Sequence, residues 1–588
     1  MHILFVGGAV SMGSKSVDAM ISNNLFDSNS AANQGGAISI SNLNNNLHLE
    51  NNEFYKNSAK QGGSIYFSTS NPNAHIDNCT FAENVAVFFG GAITFAQEHV
   101  GLVILHSTFI SNSAITSGGA LYFGVSITES SVKDCLFQSN FVVDYGGGAI
   151  AMASFNDINV MNSHFLQNLA FFGGAIFTLL KAERFNMVNS TLRHNRALYG
   201  GAFYFGAISE EVTLSSLNIS HNVAEEDGGG IYVDVASILH LSEVMLDSNV
   251  AYTRGGGLYY ESDGLTVHSS TFMNNSASEL GGAMFVKGDD ITIASATTMD
   301  SNGALLHGGA LYLEESYDVS VENVIFVRNV AGGNGGGAVF NGGGRINITV
   351  VSYLANTAIA MGGAVHLLEV EALLAREATL WGNEAQGTGG GFSLSDCMDV
   401  SFVNSSFVNN SAVGGSAVWT SGSSIDMYAN AFTGNRNPTS GGTVFWRYDS
   451  GMVEPGGLRT ANTFRLNNAL YGRDFATEAV GFTVSTEASR NNTETNSFII
   501  ADYNTPIIVN AIVHDHYNQQ VLSDNSTFMQ MSLGEEYECG DRLPTVSGST
   551  LCEVRSGAKK CLVFVILVVR CKFELWTWRV PLYWKVLS

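Results

Sequence analysis

Residues 52–67 read Asn52-Glu53-Phe54-Tyr55-Lys56-Asn57-Ser58-Ala59-Lys60-Gln61-Gly62-Gly63-Ser64-Ile65-Tyr66-Phe67. Two short signatures sit inside this stretch. Phe54 precedes Asn57 by three, an F-x-x-N. Gly62-Gly63-Ser64-Ile65 is a glycine pair followed by a small and then an apolar residue. Both recur in step. The first returns at Phe26/Asn29, Phe81/Asn84, Phe109/Asn112, Phe137/Asn140, Phe165/Asn168 and Phe272/Asn275. Another apolar residue takes the Phe place at Leu192/Asn195, Ile219/Asn222 and Leu246/Asn249. The glycine pair returns in seventeen copies from Gly7 to Gly441, a mean spacing of about 27 residues. Between the two lies an apolar-polar-apolar triplet such as Leu47-His48-Leu49, Val212-Thr213-Leu214 or Leu265-Thr266-Val267. That period of two marks a strand.

A unit of this size holds three short strands and cannot bury its own apolar face, but it can do so stacked on a copy of itself. The predicted fold is all-β, a right-handed parallel β-helix of about 17 coils with three short strands per coil. At a strand spacing of ~4.8 Å the rod is roughly 80 Å long. Ile38, Ile65, Ile93, Leu121, Ile150 and Ile176 follow their glycine pairs and are predicted to point inward. The Phe of each F-x-x-N forms an inner aromatic row. Two readings fit the Asn row formed by Asn29, Asn57, Asn84, Asn112, Asn140, Asn168, Asn195, Asn222, Asn249 and Asn275. It is a ladder of buried amides bonded coil to coil, or it only favours a turn.

The paired G-G-A-[ILV] and F-x-x-N motifs resemble those of the polymorphic outer-membrane proteins of chlamydiae. They are also similar to the large β-helix proteins of the same repeat predicted in algae and other protists. The resemblance covers residues 7 to 475 and implies a secreted or surface-displayed β-helix, used for adhesion in the chlamydial case. The chlamydial family adds a signal peptide and a C-terminal membrane barrel, and neither is legible here. Gly7-Gly8-Ala9-Val10 already lies in phase with the coils. The sequence therefore reads as N-terminally truncated, with an extracellular or cell-surface location.

Composition narrows the function classes. Hydrophobic residues make up 45% and charged residues 13%, which excludes a solvated disordered chain. The formal net charge of -25 repels phosphate, so nucleic acid is not an expected partner. No transmembrane segment is visible: the apolar run Leu562–Val569 is short of the ~20 residues a spanning helix needs. Residues 1–475 are read as the β-helix, 476–535 as an irregular or partial β-sandwich-like segment, and 536–588 as a Cys-containing tail, truncated or disordered. Cys79 and Cys135 occupy equivalent places two coils apart, too far for a disulfide; Cys539 and Cys552 are the candidate pair.

Three features carry candidate chemistry. One turn of the coil is acidic, with Asp289, Asp290, Glu314 and Glu315 at its densest. It is either a solvated edge or a ridge that would take Ca²⁺, the one cofactor considered. Gly288-Asp289-Asp290 also resembles the carboxylate pair of β-helix pectin hydrolases, without that family's supporting motifs; an acidic turn is the competing reading. Finally, strand alternation turns a row of aromatics outward, with Tyr204, Tyr232 and Tyr259 at its centre. They are a candidate surface for a glycan or a cell-surface protein, or they pack across strands or are covered by a flanking segment. The expected function is a non-enzymatic adhesin, structural or recognition rod. The alternative is a polysaccharide lyase or hydrolase.

Overall fold

The apolar residues of one unit find their partners in the next, so the chain winds rather than folds back. The structure, a computed structural model, describes residues 4–180, 182–206, 211–234, 238–448, 453–486, 507–523, 528–533, 545–548, 551–553, 558–566 and 582–587. Every regular element among them is a strand. The repeats form a parallel β-helix of about 17 coils. The strands after the glycine pairs make an 18-stranded row, the alternating triplets a 16-stranded row, and the Phe-bearing strands a row of 17. Equivalent residues pair coil to coil, as in Ile38↔Ile65↔Ile93↔Leu121. Beyond these three rows, a fourth and shorter one follows the Asn, with strands such as Val223–Ala224 and Val250–Ala251. Two-residue strands are too brief to announce themselves by alternation.

Identical positions stack at the strand spacing. The rings of Phe26, Phe54, Phe81, Phe109, Phe137 and Phe165 lie 4.7–4.9 Å apart with interplanar angles of 1–5°. The backbone ladder sets this spacing, and burial of each ring stabilises the row. Around Gly90-Gly91 both glycines are required. Gly90 has φ +62°, and a Cβ there would sit 2.2 Å from the Ile93 carbonyl oxygen. Gly91 runs so close to the next coil that a Cβ would sit 2.0 Å from the Gly119 carbonyl oxygen.

The Asn residues form a continuous hydrogen-bonded column from Asn29 to Asn467. Asn112 shows the pattern. Its Nδ2 donates to the Phe81 carbonyl (2.9 Å) and to Asn140 Oδ1 (3.0 Å). Its Oδ1 accepts the Asn84 backbone N–H (3.1 Å) and Asn84 Nδ2 (2.9 Å). All four bonding positions of a fully buried amide are thus used. The column includes Asn356, three residues after Tyr353, a copy of the signature that a Tyr in the Phe place conceals.

At the far end, the chain after the last coil covers the core. Tyr517 accepts a hydrogen bond from Trp446 Nε1 (2.9 Å), donates one to Glu454 (2.9 Å) and packs its ring 4.7 Å from that of Phe475. Beyond it, pairing becomes antiparallel. Gly481–Thr486 pairs with Ile507–His514, which pairs with Ala558–Ile566, which pairs with Thr545–Gly548. Phe528–Leu533 pairs with Leu551–Glu553 and Leu582–Leu587. Strands on both sides of residue 535 share one ladder, and Leu562–Ile566 of the apolar run belongs to a strand within it. No helix among the described residues is long and apolar enough to cross a membrane.

Candidate recognition faces

An outward side chain on a β-helix lies in a column, with like positions about 4.8 Å above and below it. Of the two sequence readings of Tyr204, Tyr232 and Tyr259, an open binding surface or cross-strand packing, the geometry fits the packing. Tyr204 and Tyr232 are half-buried and Tyr259 is only 2% exposed. Their rings stack on one another at 4.8 and 4.7 Å, and Phe285 continues the pile 5.1 Å beyond Tyr259. The residue just before each glycine pair folds over the column. Phe172 and Tyr199 lie 4.9 and 5.4 Å from Tyr204 and Tyr232. The Arg254 guanidinium sits 4.8 Å over Tyr259 and 4.9 Å over Phe285, held there by two hydrogen bonds to Asp227. The hydroxyls are engaged too: Tyr204 donates to Asp234 (3.3 Å) and Tyr259 to Glu261 (2.6 Å). Burial first, and then these carboxylates, push the phenol pKa values well above the usual range. No ring face is left open for a sugar, so the row is a satellite core.

The acidic turn is likewise occupied. Lys287 Nζ lies 3.8 Å from Glu314 and 3.1 Å from Glu315. Asp289 accepts the Tyr317 backbone N–H (3.1 Å), and Asp263 accepts that of Asp289 (2.8 Å). Asp290 has φ +55°, the left-handed geometry that Asp tolerates in turns. These carboxylates shape turns and meet a lysine. Among the described residues no three His, Cys, Asp or Glu side chains are grouped to hold a metal ion. Cys79, Cys135 and Cys397 are buried and free, and burial pushes the Cys135 thiol up to about 12. Cys539 of the candidate disulfide lies outside the described residues.

One face was not singled out in the sequence. A groove of about 450 Å³ runs across successive coils between the alternating row and the Phe row. Asn162, His164, Asn189, Thr191, Asn218 and Glu243 contribute to its lining. Its amides are chained, with Asn189 Nδ2 donating to Asn162 Oδ1 (2.9 Å) and Asn162 Nδ2 to Asp134 (3.0 Å). Ser216 donates to Glu243 (3.0 Å). The groove follows from coil shape, because the chain turns between these rows. Its polarity was readable in the residues before each Phe, had the turn been known to be concave. Amides, hydroxyls and one carboxylate in a row offer alternating donors and acceptors, which suits a polyhydroxyl ligand.

A family model described as a right-handed beta helix region matches residues 202–368, and the Chlamydia polymorphic membrane protein repeat matches residues 25–41. The latter span holds Phe26, Asn29 and the Gly35-Gly36 pair. No curated protein matches the sequence. Among solved structures, a tailspike protein of E. coli bacteriophage HK620 aligns over 99% of this chain and 86% of its own at 10% identity, with a TM-score of 0.21. A tailspike structure in complex with a hexasaccharide aligns over 98% and 86% at 12% identity, with a TM-score of 0.18. A likeness this slight carries no inference about the present chain.

Proposed function

We propose that this chain, a right-handed β-helix protein with repeats of the Chlamydia polymorphic membrane protein type, is a non-catalytic recognition rod displayed outside the cell or on its surface. One observation carries the reading. The inward amide column runs unbroken from Asn29 to Asn467, while outward side chains change character along the rod, from the amides at Asn162 and Asn189 to the aromatics from Tyr204 to Tyr312. Such a scaffold holds side chains at fixed 4.8 Å intervals over a long face, which suits an extended partner. The polar groove around Asn189 supports a glycan as that partner, contacted through hydrogen bonds. Low Kd values are not required, because an extended ligand engages many coils at once.

The test uses the full chain on a glycan array and on intact cells. The expected result is retention of a defined glycan class, lost in Asn162→Ala/Glu243→Ala without a change in the melt. Wild-type chain that binds no glycan and no cell surface overturns the proposal. So does release of reducing sugar from pectin, alginate or fucoidan, which would make the rod an enzyme.

A further inference from the structure

The hydrogen-bond polarity of the groove around Asn189 selects among glycans. A turn column of Asn162, Asn189, Ser216 and Glu243 forms one wall, and Asn218 and Met245 stand beside it on paired strands. The donors of the turn column are largely spent within it. Asn189 Nδ2 donates to Asn162 Oδ1 (2.9 Å), Asn162 Nδ2 to Asp134 (3.0 Å), and the Ser216 hydroxyl to Glu243 (3.0 Å). The acceptors are not spent. Asn218 Oδ1 is buried and accepts no hydrogen bond. An amide oxygen so placed calls for a donor, and a ligand in the groove is positioned to supply one. Glu243 is exposed, and among the described residues the Ser216 hydroxyl is its one hydrogen-bond partner. An ionised carboxylate has about four lone-pair sites, so most of them stay open. No lysine or arginine lines the groove, and its histidine, His164, is exposed. Asp134, by contrast, is met by Lys133 and by His106, each at 3.8 Å.

Resting on the glycan reading above, we propose that the groove takes a glycan bearing free amino groups, a hexosamine chain whose nitrogen is not acetylated. A primary ammonium carries three donors and no acceptor, the complement of a groove weighted to acceptors. Placed at Glu243, it donates to the open carboxylate oxygens and neutralises the charge that no lysine or arginine of the chain meets. Asn218 Oδ1, one coil back, takes an O–H or N–H from the same chain. Met245, half-buried beside Asn218, offers an apolar edge for the C–H side of a ring. Acetylating the sugar nitrogen removes its charge and two of its donors and adds a carbonyl acceptor, which finds fewer partners here. Uronates and sulfated sugars meet repulsion from Glu243 and from a chain of net charge -25, whose field draws cations in.

Titration calorimetry of the full chain tests this with oligosaccharides of equal length: a β-1,4-linked glucosamine oligomer, its fully N-acetylated form and a cellulose oligomer. The glucosamine oligomer is expected to bind, and the other two to bind about tenfold more weakly or less, the difference a charge-assisted hydrogen bond makes. Glu243→Gln keeps the shape, removes the charge and is expected to weaken the glucosamine oligomer by about tenfold. Asn218→Ala is expected to weaken it as well without lowering the melting temperature, because Oδ1 has no partner in the protein. Glu377 occupies the same turn position on coils beyond the groove, and Glu377→Gln is expected to change nothing. Equal affinity for the acetylated or the cellulose oligomer overturns the proposal and leaves the glycan reading standing, whereas a chain that binds no glycan at all overturns both. Binding unmoved by Glu243→Gln, or weakened as much by Glu377→Gln, marks a polycation spread over an acidic rod and overturns it. So does polylysine that binds as tightly and loses as much in Glu243→Gln, which assigns the groove to a basic peptide.

Discussion

Replacing Asn112 by Ala removes one rung from the middle of the amide column. Four hydrogen bonds disappear, but their losses are unequal. Asn84 Nδ2 keeps the Phe54 carbonyl, and Asn140 Oδ1 keeps the Asn112 backbone N–H. The Phe81 carbonyl loses one donor. The Asn84 backbone N–H, whose hydrogen bond is to Asn112 Oδ1, is left buried with no acceptor. A buried orphaned donor costs ~1–3 kcal/mol and each further lost bond about 0.5–1.5 kcal/mol, partly offset because an alanine has no amide to desolvate. The expected loss is about 2–4 kcal/mol. A solenoid's stability is a sum over coils and their contacts, so the loss falls on neighbouring coils before it reaches the ends. Urea unfolding measures the total. Hydrogen exchange on the peptide containing Asn84 locates it, with protection expected to fall there and to persist near Asn329. A loss under ~0.5 kcal/mol at Asn112 and again at Asn329 would refute the reasoning, leaving the row as a turn former.

Two more outcomes follow from buried polar atoms. The Tyr353 hydroxyl lies fully buried in the Phe column without a hydrogen-bond partner, while its ring stacks 4.8 Å from Phe326. Tyr353→Phe keeps the stack and deletes the orphan, so urea unfolding is expected to show a gain of about 1–2 kcal/mol; a loss would mean the hydroxyl is satisfied. Burial, and then the nearby His307, depress the His366 imidazole to about 4. Its neutral form is the one that fits. The unfolded chain therefore binds the extra proton between pH 6.5 and 4, and stability is full above pH 6.5 and drains as the pH falls towards 4. The drop is up to about 3 kcal/mol, and melts at pH 7.5 and 4.5 are expected to show it shrinking in His366→Leu.

The inward architecture was legible because the repeat averages out local noise. One Phe54/Asn57 pair says little, and many copies in step define columns. What escaped were properties set by neighbours rather than by position. Strand alternation turns Tyr259 outward correctly, yet Arg254 from the preceding turn closes over it, and no period in the sequence encodes that closure. Tyr353 hid Asn356 because the signature was sought through Phe or an aliphatic residue in its place. A second column is harder still: Asn24 and Asn52 begin it, Cys79, Ser107 and Cys135 continue it, Leu217 and Val244 interrupt it, and Asn430 and Asn462 end it. It changes from amide to thiol to hydrocarbon, so no motif spans it. The physical constraint there is only a small side chain that suits its neighbours above and below.

The same reasoning separates what each column is free to do. An inward residue is packed by its own coil and by two others, and replacing it damages contacts in all three. An outward residue answers mainly to the like positions above and below. Its character can change, provided it changes gradually along the axis. Aromatic side chains run together from Tyr204 to Tyr312. The Asn162–Glu243 groove groups amides and hydroxyls on another side of overlapping coils. A surface written in blocks several coils long is what nearest-neighbour coupling at 4.8 Å produces when a uniform core carries the stability. It also fixes the scale of any partner this rod engages. A ligand shorter than one block meets chemistry that many registers supply, whereas one long enough to cross a boundary, such as Tyr312 to Val339, meets a unique register.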